Sequence, residues 1–172
     1  MDPGRPDILQ VALFQEDWQE RQRFGRPRPV PLRWKSLIFV DTGAWYASEV
    51  EDDVNHAAAR KFLAKMSTGT HGVPLTTDYV LDEAITLLRS RRNLATAASF
   101  IDKVRSSKSV RIVWVDASLF DRAIELFRSS DRRTWSFTDC SSFALMKQLS
   151  ISEAFAFDMH FEEAGFTVRP NP

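Results

Sequence analysis

From Leu37 onward, short apolar runs alternate with stretches of helical periodicity. Leu37-Ile38-Phe39-Val40 and Ala154-Phe155-Ala156-Phe157 are uninterrupted apolar runs of strand length, the pattern of strands buried on both faces. Between them, Ala57, Ala58, Phe62, Leu63 and Met66 recur at helical spacing, and Val80, Leu81, Ala84, Ile85, Leu87 and Leu88 form a second apolar stripe. The pattern predicts a strand over 37–41, helices near 43–48 and 54–66, a strand over 73–76 and helices over 78–92 and 94–105. A strand over 110–115, a helix over 117–127, a helix opened by Thr138-Asp139, a strand ending at Phe157, a short helix around Glu162 and a strand over 166–168 follow. Strands separated by helices require crossover connections, so the expected fold is α/β, a three-layer α/β/α sandwich around a central parallel sheet.

Residues 1–36 break this pattern. Five of the eight prolines fall there, at Pro3, Pro6, Pro27, Pro29 and Pro31. Ile8, Leu9, Val11, Ala12, Leu13 and Phe14 with Trp18 suit a short amphipathic helix, and 27–31 suits an extended connector. The expected organisation is an N-terminal arm over 1–36 and one domain over 37–172.

Four acidic residues converge on this scheme. Asp41 and Asp158 end the two apolar runs, at the strand tips where open α/β sheets place their ligand crevice. Glu83 lies in the helix after the second strand, and Asp139 near the start of a later one. Each has a plain structural reading: Asp is a favoured N-cap at a strand-to-helix junction, and a helical glutamate is usually solvated. Glu83, however, neighbours Ala84 in a stripe that faces the sheet, where a lone carboxylate is costly to bury. Gathered carboxylates repel unless a cation lies among them, and hard oxygen ligands suit Mg²⁺ or Mn²⁺.

Four segments carry a family resemblance: Phe39-Val40-Asp41-Thr42-Gly43-Ala44-Trp45, Thr76-Thr77-Asp78-Tyr79-Val80-Leu81-Asp82-Glu83, Ser136-Phe137-Thr138-Asp139-Cys140-Ser141-Ser142-Phe143 and Phe157-Asp158-Met159-His160-Phe161. In this order they resemble the signature segments of PIN-domain ribonucleases, in particular the VapC-like toxins of toxin–antitoxin pairs, and the likeness covers about residues 37–170. It implies a Mg²⁺- or Mn²⁺-dependent endoribonuclease, the toxin of a type II pair, with RNA as substrate, a cognate antitoxin as protein partner and a homodimer as assembly. It places Asp41, Glu83, Asp139 and Asp158 on the family's catalytic, metal-binding positions, with Asp41 and Asp139 as direct ligands. Thr42 and Thr138 fall on hydroxyl positions beside those carboxylates, and Ser142 on a small polar position one helical turn beyond Asp139. In such chemistry a cation polarises the phosphodiester and activates water, with no Cys, Ser or His nucleophile.

Composition narrows the alternatives. The 172 residues suffice for one domain, and 44% hydrophobic content for a full core. Lys plus Arg equals Asp plus Glu at 23 each, so attraction to nucleic acid must be local. The segment holding Arg89, Arg91, Arg92, Lys103, Arg105, Lys108 and Arg111 is either such a patch or a solvated helix face. Arg132, Arg133 and Trp135, in the loop before Asp139, are the expected RNA contacts. The lone Cys140 reads as a small buried residue, and His160 as structural, because no paired spacing marks a zinc site. No membrane-length apolar run or signal-peptide pattern occurs, so a soluble cytoplasmic protein is expected. A haloacid-dehalogenase-type phosphatase would need a second acidic residue where Gly43 stands, and a receiver domain a lysine near Asp158. The alternative from another class is a catalytically idle PIN-like protein-binding module, against which all four carboxylates stand.

Overall fold

The structure is a computed structural model, and it describes residues 37–67, 71–130 and 133–170. The expected arm over 1–36 and Arg132 lie outside the described residues. Among those described, five strands and seven helices alternate: β1 (Leu37–Val40), α1 (Thr42–Glu49), α2 (His56–Met66), β2 (Val73–Thr77), α3 (Asp78–Arg91), α4 (Leu94–Ser106), β3 (Arg111–Val113), α5 (Ala117–Arg128), α6 (Phe137–Leu149), β4 (Glu153–Phe155), α7 (His160–Glu163) and β5 (Thr167–Arg169).

All strand pairs are parallel, in the order β3-β2-β1-β4-β5. From β1 the chain winds outward through β2 to β3, then returns to the other side of β1 to lay down β4 and β5. Right-handed crossovers therefore put α1 to α4 on one face and α5 to α7 on the other. The winding direction reverses between β1 and β4, and the crevice at such a switch point, above the strand tips, is where ligands bind in sheets of this kind.

The central strand is the driest element. Ile38, Phe39 and Val40 have no exposed surface, as expected of a strand covered on both faces. Of the helices, α6 is the one buried nearly all round: Asp139 to Met146 are all buried, and its length packs along α5. Aromatic rings fill the space beneath the β4–α7 turn. Phe161 lies 5.9 Å from Phe39 and 5.0 Å, edge-on, from Phe143, and Phe143 is in turn met edge-on by Trp135 at 4.9 Å. Such T-shaped pairs add about 0.5–1.5 kcal/mol each beyond the area they bury, which fixes the turn that carries Asp158.

The expected elements form in the expected order, with shifts at their ends. Strand β4 stops at Phe155, so Asp158 lies three residues past the strand rather than at its end. The amide of Ala156 bonds Arg169 and that of Asp41 bonds Phe155, which holds the chain beyond the sheet's edge as an ordered loop.

Candidate metal centre

Asp41 sits where β1 becomes α1. It is the N-cap of α1, its Oδ2 accepting the Gly43 amide at 3.0 Å, so the capping reading and the site reading hold for the same side chain. A Cβ on Gly43 would stand 3.4 Å from that oxygen, in ordinary van der Waals contact with it. Asp41 is only 5% exposed. Burial, with the Asp158 carboxylate next in effect and Asp139 adding to it, pushes its carboxyl up to about 8 against the pull of the Gly43 and Thr42 amides.

Asp139 comes from the opposite face of the sheet. Helix α6 begins one residue earlier than the Thr138-Asp139 start expected from sequence, with Ser136 as N-cap. Asp139 is the N3 residue of a capping box: its amide donates to Ser136 Oγ at 3.0 Å and its Oδ2 accepts the Ser136 amide at 2.7 Å. It is buried, at 7% exposure. Asp158 is exposed in the loop leading to α7 and accepts the His160 amide at 3.0 Å. Partial desolvation and the Asp139 charge raise its carboxyl above the usual range.

Three carboxylates from three elements thus share one electrostatic neighbourhood. Glu83 reaches it by a different route. It is half-buried in the second turn of α3, not sealed against the sheet as the stripe predicted, and its Oε2 accepts the Thr42 hydroxyl at 2.9 Å. Thr42, next to Asp41, therefore ties the fourth carboxylate to the first.

The remaining expected positions divide. Ser142 is fully buried and donates to the Thr138 carbonyl at 2.8 Å, as Ser141 does, so its hydroxyl serves its own helix. Trp135 departs from the expected RNA contact. It is 6% exposed, its ring packs on Phe143, its Nε1 donates to Glu163 Oε2 at 3.2 Å, and the exposed Arg133 lays its guanidinium 4.3 Å from the ring centre. Trp135 is a wall of the core because the loop before α6 turns it inward. Trp45 is buried too, donating to Thr76 Oγ1 at 3.3 Å. Trp114 is 66% exposed, just past β3. The basic segment is not delivered to the carboxylates. Helix α3 starts at the strand tips and runs about 20 Å away from them, where Arg92 pairs with Asp52, while Lys103 pairs with Glu49 at the far end of α1. Cys140 is fully buried, as expected.

His160 is what sequence reasoning passed over. Its Nδ1 lies 3.1 Å from Asp139 Oδ2 and its Nε2 3.1 Å from Thr134 Oγ1. Ligand atoms of Asp139, Asp158 and His160 all fall within 4.8 Å of one another. The Asp158-Met159-His160 spacing was the available signal, because a turn between the two residues can aim both side chains the same way. The donor set of carboxylate oxygens with one imidazole fits a divalent cation.

The fold is a reversing parallel α/β/α sheet whose gathered carboxylates, over the switch point, form a group that could hold a divalent cation. The chain belongs to the PIN domain family, whose model matches residues 38–167. It is 39% identical over 135 residues to a 23S rRNA-specific endonuclease, VapC20, of Mycobacterium tuberculosis, covering 78% of this chain and 99% of that protein. A VapC ribonuclease of Archaeoglobus fulgidus is 24% identical over 123 residues, 71% of this chain and 77% of its own length. The crystal structure of Mycobacterium tuberculosis VapC20, a sarcin-ricin loop cleaving toxin, superposes with a TM-score of 0.70 at 37% identity, covering 76% of this chain and 96% of that one.

Proposed function

We propose that this protein is a metal-dependent endoribonuclease, the toxin of a toxin–antitoxin pair, and that its substrate is a structured loop of 23S ribosomal RNA. The observation that supports this most is the meeting of Asp41, Asp139 and Asp158, from β1, α6 and the β4–α7 loop, in a chain that covers nearly the full length of the VapC20 endonuclease it resembles. The nuclease unit is residues 37–172, with residues 1–36 an appended arm.

Asp41, Asp139 and Asp158 hold the cation, Mg²⁺ or Mn²⁺, and Glu83, oriented by the Thr42 hydroxyl, takes up or steers the attacking water. A bound divalent cation supplies charge stabilisation at the phosphodiester and lowers the pKa of its water. The burial of Asp41 and Asp139 keeps competing solvent away from the carboxylates, and their backbone bonds fix them without the cation's help. A cognate antitoxin as inhibitor, and a homodimer as assembly, complete the reading.

The test is cleavage of a synthetic stem–loop with the sequence of the 23S sarcin–ricin loop, beside a scrambled stem–loop. Cuts confined to the first RNA, dependent on Mg²⁺ or Mn²⁺ and abolished by EDTA, are expected. Cleavage that persists in EDTA would sink the metal mechanism, and equal cutting of both RNAs would sink the substrate.

A further inference from the structure

We propose that His160 is a direct nitrogen ligand to the cation at the Asp139–Asp158 end of the site, so that the centre takes Mn²⁺ in preference to Mg²⁺. This rests on the reading of the carboxylates as a metal site and adds to it a ligand of a different kind.

The geometry is that of cis ligands. In an octahedral site with bonds of about 2.1 Å, neighbouring ligand atoms lie about 3.0 Å apart, and the His160 Nδ1 to Asp139 Oδ2 separation is 3.1 Å. A ligand atom from Asp158 lies within 4.8 Å of both, so a small adjustment of this exposed side chain would bring all three donors onto one cation. The ring is held at both ends. Its other nitrogen, Nε2, meets Thr134 Oγ1 at 3.1 Å, and metal-bound imidazoles ordinarily engage their second nitrogen in this way, which sets ring orientation and tautomer. With Nε2–H donating to Thr134, the Nδ1 lone pair points to the carboxylates, an arrangement that a cation between them stabilises.

The backbone adds to the placement. The His160 amide donates to Asp158 Oδ1 at 3.0 Å, so ligand and ligand-bearing loop are one unit, and the next residue, Phe161, is fully buried among Phe39, Phe143 and Phe166. His160 itself is about a quarter exposed, enough to leave the cation's outer positions open to water and phosphate. Selectivity follows from ligand chemistry: Mg²⁺ is held by oxygen donors and keeps its waters, whereas imidazole nitrogen favours the transition metals, Mn²⁺ weakly but ahead of Mg²⁺. The competing role for His160 is to orient Asp139 by a hydrogen bond without touching the cation.

Pulsed electron paramagnetic resonance of Mn²⁺ added to the full chain separates the two roles. Wild-type protein should show nitrogen modulation of the bound Mn²⁺ signal, and His160→Phe, which keeps the ring but no donor, should abolish it. Titration calorimetry should then show Mn²⁺ weakened about 10-fold or more by His160→Phe, with Mg²⁺ affinity little changed. Bound Mn²⁺ without nitrogen modulation in the wild type, a reading that needs no variant, would overturn the proposal. So would an equal loss of Mn²⁺ and Mg²⁺ affinity in the variant. If the wild type binds neither cation, the carboxylate site itself fails and this ligand with it.

Discussion

The two halves of the candidate metal site are built differently. Asp41 and Asp139 are nearly sealed from solvent, and each is clamped by a backbone amide at a helix start, from Gly43 and Ser136. Asp158 and His160 sit on the rim, in a loop held from below by Phe161. The inner pair is fixed by those amides before any cation arrives, and for Asp41 this comes at the expense of stability, because burial and the neighbouring Asp158 and Asp139 charges disfavour its ionised form. The outer half is only partly desolvated, and its exposed Asp158 has room to adjust to the cation and the substrate.

The largest effect should come from removing an inner charge. Asp41→Asn and Asp139→Asn should each lower RNA cleavage by on the order of 100-fold or more, since even groups that only support a metal ligand cost 10- to 100-fold. Asp158→Asn should cost less, because an exposed position is more readily replaced by water. In EDTA the order reverses for stability: Asp41→Asn should raise the thermal midpoint at neutral pH, as it removes a carboxyl that folding forces to take up a proton, while Asp158→Asn should change it less. Cleavage assays and melting curves on the three variants check the contrast. Equal losses of activity for Asp158→Asn and Asp41→Asn would erase the distinction between the halves.

A smaller effect should appear as a pH slope. The Asp41 carboxyl is raised in the folded protein from 3.8 to about 8, so between those values the native state holds a proton that the unfolded chain has released. Stability from this group is fully present below about pH 4 and is lost as pH rises toward 8. Metal-free protein should therefore melt at progressively lower temperature from pH 5 to 8, after other titrations are subtracted by comparison with Asp41→Asn. Mg²⁺ or Mn²⁺ should flatten the slope, because binding ionised Asp41 stabilises the native state by mass action. A slope identical in wild type and Asp41→Asn would show that Asp41 is not the strained group.

How much of this was legible in the sequence depended on the range of the cause. The sheet was legible because continuous apolar runs such as Ile38-Phe39-Val40 have no other stable fate than burial on both faces. Asp41 was legible because strand tips converge in any parallel sheet, whereas Asp139 and Glu83 stand on helices and Asp158 three residues past β4, so their place beside Asp41 was legible only through the resemblance of their segments. What failed was local direction. Trp135 immediately precedes the Ser136–Asp139 capping box in a loop with basic neighbours, and nothing in the sequence states that the loop turns the ring onto Phe143. His160 has no paired spacing, yet its partners are Asp139, 21 positions away, and Thr134, 26 away. Contacts of that separation leave no periodic trace. Glu83 stands on the element the sequence predicts, but its partner is Thr42, 41 positions away on another helix.

The smallest expected effects compare two hydroxyls that sequence alone treats as equals. Thr42 Oγ1 donates at 2.9 Å to Glu83, the one described contact that binds the fourth carboxylate to the inner half, and a valine there would keep the shape of the side chain while leaving Glu83 without its donor. Ser142 Oγ donates to the Thr138 carbonyl within its own helix, a back-bond that competes with the helix rather than supporting the site. Thr42→Val should therefore lower cleavage about 10-fold with a loss of stability of about 1 kcal/mol. Thr42→Ser, which keeps the hydroxyl, should restore most of the rate. Ser142→Ala should leave cleavage at the wild-type level and change stability by less than about 0.5 kcal/mol, because the carbonyl retains other partners and the methyl fits the same space. Rates on the ribosomal stem–loop and urea midpoints of the three variants decide the matter. If Ser142→Ala lowers cleavage as far as Thr42→Val does, the hydroxyl one turn beyond Asp139 reaches the cation or the RNA during the reaction, and the inner half extends further into α6 than Asp139.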